Sequence, residues 1–125
     1  MHLGDFEGVP ATTVHQEHPA LIQRWVTDPA QVRMPGADAE TLAEVQARSF
    51  EAVTELLATH RGKTIVAVSH TFTLLMILCR FMDVPIAAFR RMHIDRASIS
   101  EINWNRFGPT LRRFNDTSHL FDLSD

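Results

Sequence analysis

The 125-residue chain has a single cysteine, Cys79. An internal disulfide is therefore excluded, and the position of Cys79 inside an apolar run predicts a buried thiol in a reducing compartment. Long apolar runs are missing too. The longest one begins at Phe72, is broken by Thr73 and ends at Arg80, well short of the ~20 residues that a membrane span needs. The opening MHLGDFEG has no basic start followed by an apolar block, so no secretory leader is expected. Also lacking are a glycine-rich loop of the P-loop kind, a Cys-x-x-Cys pair and a G-x-S-x-G elbow, each of which would have named its own chemistry. These absences predict a soluble cytoplasmic protein with no cofactor and no metal. His15 and His18 lie three apart, but no third ligand stands at a suitable spacing.

What is present fits one globular domain spanning residues 1–125. The hydrophobic fraction is 45%, ordinary for a packed core, and the length suffices for one domain but not two. The net charge of −3 is unevenly spread. Residues 1–60 carry nine acidic and three basic side chains, whereas residues 61–113 carry nine basic and three acidic. A positive second half can favour an anionic ligand. The arginines form no aromatic-interleaved stripe and read as solvated faces of strands and turns, so nucleic acid is not an expected partner.

Glycine and proline punctuate residues 1–32, and short helical turns are expected over 11–16 and 20–26. MPGAD then marks a turn, with Asp38 a candidate N-cap. From Ala39 to Arg61, Leu42, Val45, Val53, Leu56 and Leu57 follow helical spacing. Glu40 falls in the first turn of this predicted helix, and Gly62 supplies the usual stop. Arg48 reads as part of its solvated face. Thr64 to Ser69 is short and apolar on both faces, which predicts a strand inside a parallel sheet with helices above and below. A helix over 72–82, one further turn over 86–91, and two strands over 97–104 and 110–115 complete the reading, the strands joined by the RFGP turn. An interior strand needs neighbours on both edges. Open parallel sheets usually have ~4–6 strands, and this sequence provides too few.

KTIVAVSHTF, residues 63–72, carries the chemistry. Ligands of open α/β folds bind beyond the carboxyl ends of strands, where a helix N-terminus offers free N–H groups and about half a positive charge. His70 at such a junction can donate to a phosphoryl oxygen, and Thr71 adds an amide and a hydroxyl. The bland alternative is that His70 only caps the helix or bonds a nearby carbonyl.

These residues carry a resemblance. VSH before an apolar helix resembles the second-histidine motif of the histidine phosphatase, or phosphoglycerate mutase-like, superfamily. HLGDFEG resembles that family's x-x-G-x-W-E-G segment, with Phe6 in the aromatic place. MPGADAETLAEVQAR resembles its P-G-G-E-S…R segment with two extra residues before Glu40, and ASISEINW, TLRRFND and SHL resemble its closing strands and tail. The resemblance implies a three-layer α/β/α fold with a mostly parallel sheet, and a phosphomonoester hydrolase or mutase working through a phosphohistidine. In that family a first histidine, in Arg-His-Gly on the first strand, attacks phosphorus. A second histidine and two arginines hold the equatorial oxygens, and an acidic residue protonates the leaving alcohol. The second histidine corresponds to His70, and Thr71 stands where the family often has glycine.

This sequence contains no Arg-His-Gly; His60-Arg61-Gly62 has the wrong order and ends a predicted helix. The family's proton donor would stand just before Met1, and its second arginine further upstream. The resemblance thus implies an N-terminally truncated member lacking its N-terminal strand, as the sheet imbalance does without the family. Three functions follow as alternatives. The chain is the C-terminal portion of a histidine phosphatase, inactive alone. It is a non-catalytic module that binds a phosphorylated small molecule through His70 and Thr71. Or its open sheet edge pairs with an N-terminal fragment, or with a second copy in a homo-oligomer.

Overall fold

The computed structural model describes residues 1–123, and side chains through residue 121. Among the described residues the regular structure is four α-helices and one hairpin: α1 (Ala11–Glu17), α2 (Pro19–Thr27), α3 (Leu42–Thr59), α4 (Thr71–Phe81), β1 (Ile99–Asn105) and β2 (Gly108–Asp116). Three short 3-10 turns cover Gly4–Phe6, Ile86–Arg91 and Ser118–Leu123. Among the described residues no helix is long and apolar enough to cross a membrane.

α3 and α4 form the core pair. The apolar stripe of α3 brings Leu42 and Val45 to zero exposure against Leu75, Met76 and Cys79 of α4, with Phe89 closing the cluster. The Gln46 amide donates to the Met76 carbonyl oxygen at 3.2 Å and ties the two helices along their flank. α3 begins at the Thr41 cap rather than at the expected Asp38. Thr41 Oγ1 accepts from the Glu44 N–H at 3.2 Å, and Glu44 Oε2 accepts from the Thr41 N–H at 2.9 Å. This reciprocal capping box satisfies two orphan donors, where Asp38 would satisfy one. α4 stops as the Asp83-Val84-Pro85 sequence implies. Asp83 takes the left-handed conformation (φ 53°), and the Val84 N–H reaches back to the Cys79 carbonyl at 2.8 Å.

A second cluster joins α2 to the core, with Trp25 meeting Phe72 and Phe89 edge-on or tilted at centroid distances of 6.2 and 6.3 Å. Arg90 lies over Trp25 and donates to its carbonyl oxygen at 3.0 Å. Near the start, the HLGDFEG and MPGAD loops are strapped together. The Asp5 N–H donates to the Pro35 carbonyl at 2.8 Å, and the Glu40 N–H donates to that of His2 at 3.0 Å. Gly4 sits at φ 59° with Pro35 O 2.1 Å from where a Cβ would stand, so only glycine allows this approach.

The sheet departs from expectation. The expected mostly parallel, three-layer arrangement is not formed: among the described residues the sheet is a two-stranded antiparallel hairpin, β1 with β2. Ile102 pairs Leu111 and Trp104 pairs Pro109, with irregular register around Glu101. Trp104 packs edge-on against Phe81 at 4.6 Å and fixes the hairpin to the end of α4. The segment 64–69, read from sequence as an interior strand, is no strand and is not buried. Its backbone groups make no backbone hydrogen bonds among the described residues, and Val66 and Val68 are 84% and 95% exposed. A strand exists only through its ladder, and nothing described here lies beside this one.

Candidate functional site

His70 is the N-cap residue of α4, with extended backbone (φ −96°, ψ 156°). Its carbonyl accepts the first helical bond, from Leu74 N–H at 3.0 Å, while its side chain makes no capping hydrogen bond. The imidazole is exposed and has no hydrogen-bond partner among the described residues. The local capping that would make His70 merely structural is thus absent. Thr71 follows as the first residue of α4 and is also exposed. Behind them the apolar face of α4, Leu75, Met76 and Cys79, is locked into the core. The helix is thus anchored in the core while the two polar residues at its start are exposed. Burial also pushes the Cys79 thiol above its ordinary range, which leaves it an inert packing group.

Thr71 lines a cavity of about 630 Å³, together with residues from the 93–96 segment, Thr117 and the C-terminal turn. One wall of it is built. Asn115 Nδ2 donates to Asp95 Oδ2 at 2.7 Å, and the Asp95 N–H donates to Asn115 Oδ1 at 2.7 Å. His93 Nε2 lies 2.9 Å from the other carboxylate oxygen. The Asn115 hydrogen bond, and then that of His93, hold the Asp95 carboxyl below its ordinary range. No short-range sequence signal links positions 95 and 115, so the sequence reading missed this cluster. The only available cue was His93 two residues before Asp95.

Glu40 does not fall in the first turn of α3 as expected from sequence, whereas Arg48 is exposed on the face of that helix as expected, and the two form a pair. Glu40 lies ahead of α3, and Arg48 reaches it with two nitrogens, Nη2 to Oε2 at 3.0 Å. The His2 N–H adds a 2.9 Å bond to the same oxygen. Hydrogen bonding from Arg48 brings the Glu40 carboxyl down from 4.5 to about 2, against partial desolvation and with help from the His2 N–H. A depressed carboxylate contributes stability that is fully present above its unfolded value and is lost as pH falls through the folded one. This pair is therefore expected to hold the start of the chain against α3 down to about pH 4.5 and to release it as pH approaches 2. In Arg48→Met the Glu40 carboxyl, followed by carbon-13 NMR, is expected to titrate back near 4.5; an unmoved midpoint would show that Arg48 is not the cause. Neither residue lines the cavity beside Thr71.

The two histidines three apart, His15 and His18, are engaged locally. His15 Nδ1 lies 2.6 Å from the Ala11 carbonyl oxygen, and the His18 ring packs on Phe6 at 4.9 Å. Among the described residues no group of three or more His, Cys, Asp or Glu is placed to hold a metal ion.

Comparison with known proteins bears on this geometry. The chain is 30% identical over 117 residues to phosphoserine phosphatase 1 of Hydrogenobacter thermophilus, covering 94% of this chain and 54% of that protein. It superposes on Bacillus stearothermophilus YhfR with a TM-score of 0.84 at 25% identity, covering 95% of this chain and 58% of that one. The alpha-ribazole phosphatase from Shigella flexneri shares the fold with a TM-score of 0.75 at 23% identity, over 93% of this chain and 56% of that one. The chain thus spans about half the length of the relatives it matches. The profile of the histidine phosphatase superfamily (branch 1) matches residues 1–117, and to that superfamily this chain belongs.

Proposed function

We propose that this chain supplies the phosphate-holding half of a phosphomonoester hydrolase. His70 and Thr71 grip the phosphoryl group of a small-molecule substrate, and the attacking histidine comes from an Arg-His-Gly strand that pairs with residues 64–69. The observation that carries the reading is the conjunction at the start of α4. An imidazole with no hydrogen-bond partner among the described residues stands at the mouth of an 11-residue helix, directly after a six-residue segment with no ladder there. A helix N-terminus favours an anion by charge and by free N–H groups. An imidazole N–H donor beside it strengthens where charge grows on the phosphoryl oxygens. Relatives named as phosphoserine and alpha-ribazole phosphatases support a phosphorylated small molecule as substrate.

The 125 residues contain no Arg-His-Gly, so by themselves they bind phosphate without turning substrate over. Nitrogen-15 NMR of the His70 ring and the Thr71 amide during titration with inorganic phosphate tests the grip. Saturable shifts confined to the His70 ring and the first turn of α4 are expected. An unmoved His70 at tens of millimolar phosphate would end the proposal.

A further inference from the structure

His93, Asp95 and Asn115 form a run of linked side chains that the phosphate grip leaves unused. The Asp95 carboxylate stands in the middle. Asn115 Nδ2 donates to its Oδ2 at 2.7 Å, and His93 Nε2 lies 2.9 Å from its Oδ1. The backbone around it is fixed as well. The Asp95 N–H donates to Asn115 Oδ1 at 2.7 Å, and the Ser98 hydroxyl donates to the Asp95 carbonyl oxygen at 2.9 Å. Asn115 and Ala97 both take the left-handed conformation, at φ 52° and 57°. For alanine that conformation is strained and persists only where the surroundings impose it, a pattern that gathers at functional sites. An incidental surface ion pair has no such frame.

The frame decides which ring nitrogen of His93 is free. A carboxylate only accepts, so the nitrogen facing it, Nε2, carries the proton. Nδ1 is then left with its lone pair, the state of a base, and it forms no hydrogen bond to a described residue. A carboxylate that orients an imidazole through the far nitrogen is the arrangement that serves proton abstraction. The position suits the task too, because His93 lines the same cavity as Thr71, the first residue of α4.

Resting on the grip assigned to His70 and Thr71, we propose that His93 is the base that activates water against the phosphoryl group, with Asp95 and Asn115 as its positioning residues. A phosphoryl group held at the first turn of α4 borders the cavity that His93 lines. Once that group has passed to the attacking histidine of the added strand, water forms a new P–O bond as the N–P bond breaks. The water's proton goes to His93 Nδ1, and the electron pair of the N–P bond returns to the attacking imidazole. The His93 side chain is 80% exposed, so solvent takes the proton away and restores the base.

Two measurements test this. Inorganic phosphate is the product of the step, and in the chain alone its P–O–H group is expected to donate to Nδ1. Nitrogen-15 NMR at constant ionic strength should show His93 Nδ1 moving together with His70 and Thr71, while the exposed His2 ring stays where it was. Asp95→Asn, whose amide can donate to Nε2 and turn the tautomer round, should abolish the His93 response alone. A response that survives this change would overturn the positioning role of Asp95. If His70 and Thr71 respond and His93 does not, the assignment is overturned and the grip stands. If none of the three responds, the grip has failed and the assignment goes with it. The second measurement uses the chain mixed with a polypeptide that supplies the Arg-His-Gly strand. His93→Gln is expected to keep the burst of p-nitrophenol that accompanies phosphorylation of the attacking histidine. Steady turnover should slow about 10²-fold, the low end of what a positioned base contributes. Loss of the burst along with turnover, or an unchanged turnover, would overturn the assignment. Should mixing yield no turnover, the NMR result decides.

Discussion

Mixed with a polypeptide that carries a strand ending in Arg-His-Gly, this chain is expected to hydrolyse p-nitrophenyl phosphate on the order of 10³-fold faster than either piece alone. The size of the gain follows from how catalytic groups act as units: removing the nucleophile forfeits nearly all the rate, and the other members cannot make up for it. Residues 64–69 are where the second piece would add. They expose backbone donors and acceptors on both sides, the requirement for pairing by strand addition. Burying Val66 and Val68, now 84% and 95% exposed, contributes about 1.5–3 kcal/mol each. New ladder bonds add about 0.5–1.5 kcal/mol apiece. Against an association cost of at least ~4 kcal/mol, these contacts favour assembly only at raised concentrations. The rate should therefore climb with the concentration of the second piece before it saturates. Within the assembled pair, His70→Ala is expected to cost about 10²–10³ in kcat, the loss typical of one donor to a transition-state oxyanion. No gain on mixing, or a gain indifferent to His70, would remove the catalytic reading.

The largest stability effect is expected at Met76. Its side chain has no exposure and sits between α3 and α4 with Leu42, Val45 and Cys79. Truncating a buried methionine to alanine costs about 2–5 kcal/mol, through lost transfer energy and the cavity left behind. Whole domains are stable by only about 5–15 kcal/mol, so Met76→Ala is expected to shift the urea midpoint followed by circular dichroism by a large fraction, or to unfold the chain. Val68→Ala makes the contrast. Its side chain already faces solvent, and the effect should stay within about 0.5 kcal/mol. Equal effects at the two positions would mean that the packing does not centre on the α3–α4 pair.

The helices were legible because their signal is local. The spacing of Leu42, Val45 and their successors placed α3 to within a few residues, and the apolar run with its Asp-Val-Pro break placed α4. Even the cap that was missed was written in the chain, as Thr41-Leu42-Ala43-Glu44. The two hairpin strands were also read close to their observed limits, since a short turn joins neighbours in sequence. What could not be read was pairing over distance. The apolar character of residues 64–69 reports an appetite for burial, but not whether a neighbour is there to satisfy it. The site divides in the same way. His70 and Thr71 stand together at a helix start, as adjacent letters suggested, whereas Asp95 and Asn115 meet across 20 positions through the pairing of β1 with β2. The Glu40–Arg48 pair, eight positions apart, likewise depends on the loop that precedes α3.

The bare segment also shapes how the protein behaves in solution. Thr64-Ile65-Val66-Ala67-Val68 is uncharged, rich in β-branched residues and free of proline, the composition of stretches that stack into fibrils. In most folds such a stretch is hidden by its neighbours, but here only Arg61 and Lys63 at its upstream border stand against self-association. Raised salt screens those two cations, so precipitation of the lone polypeptide would come sooner in saline buffer than in dilute, and a bound companion strand would act as its solubiliser.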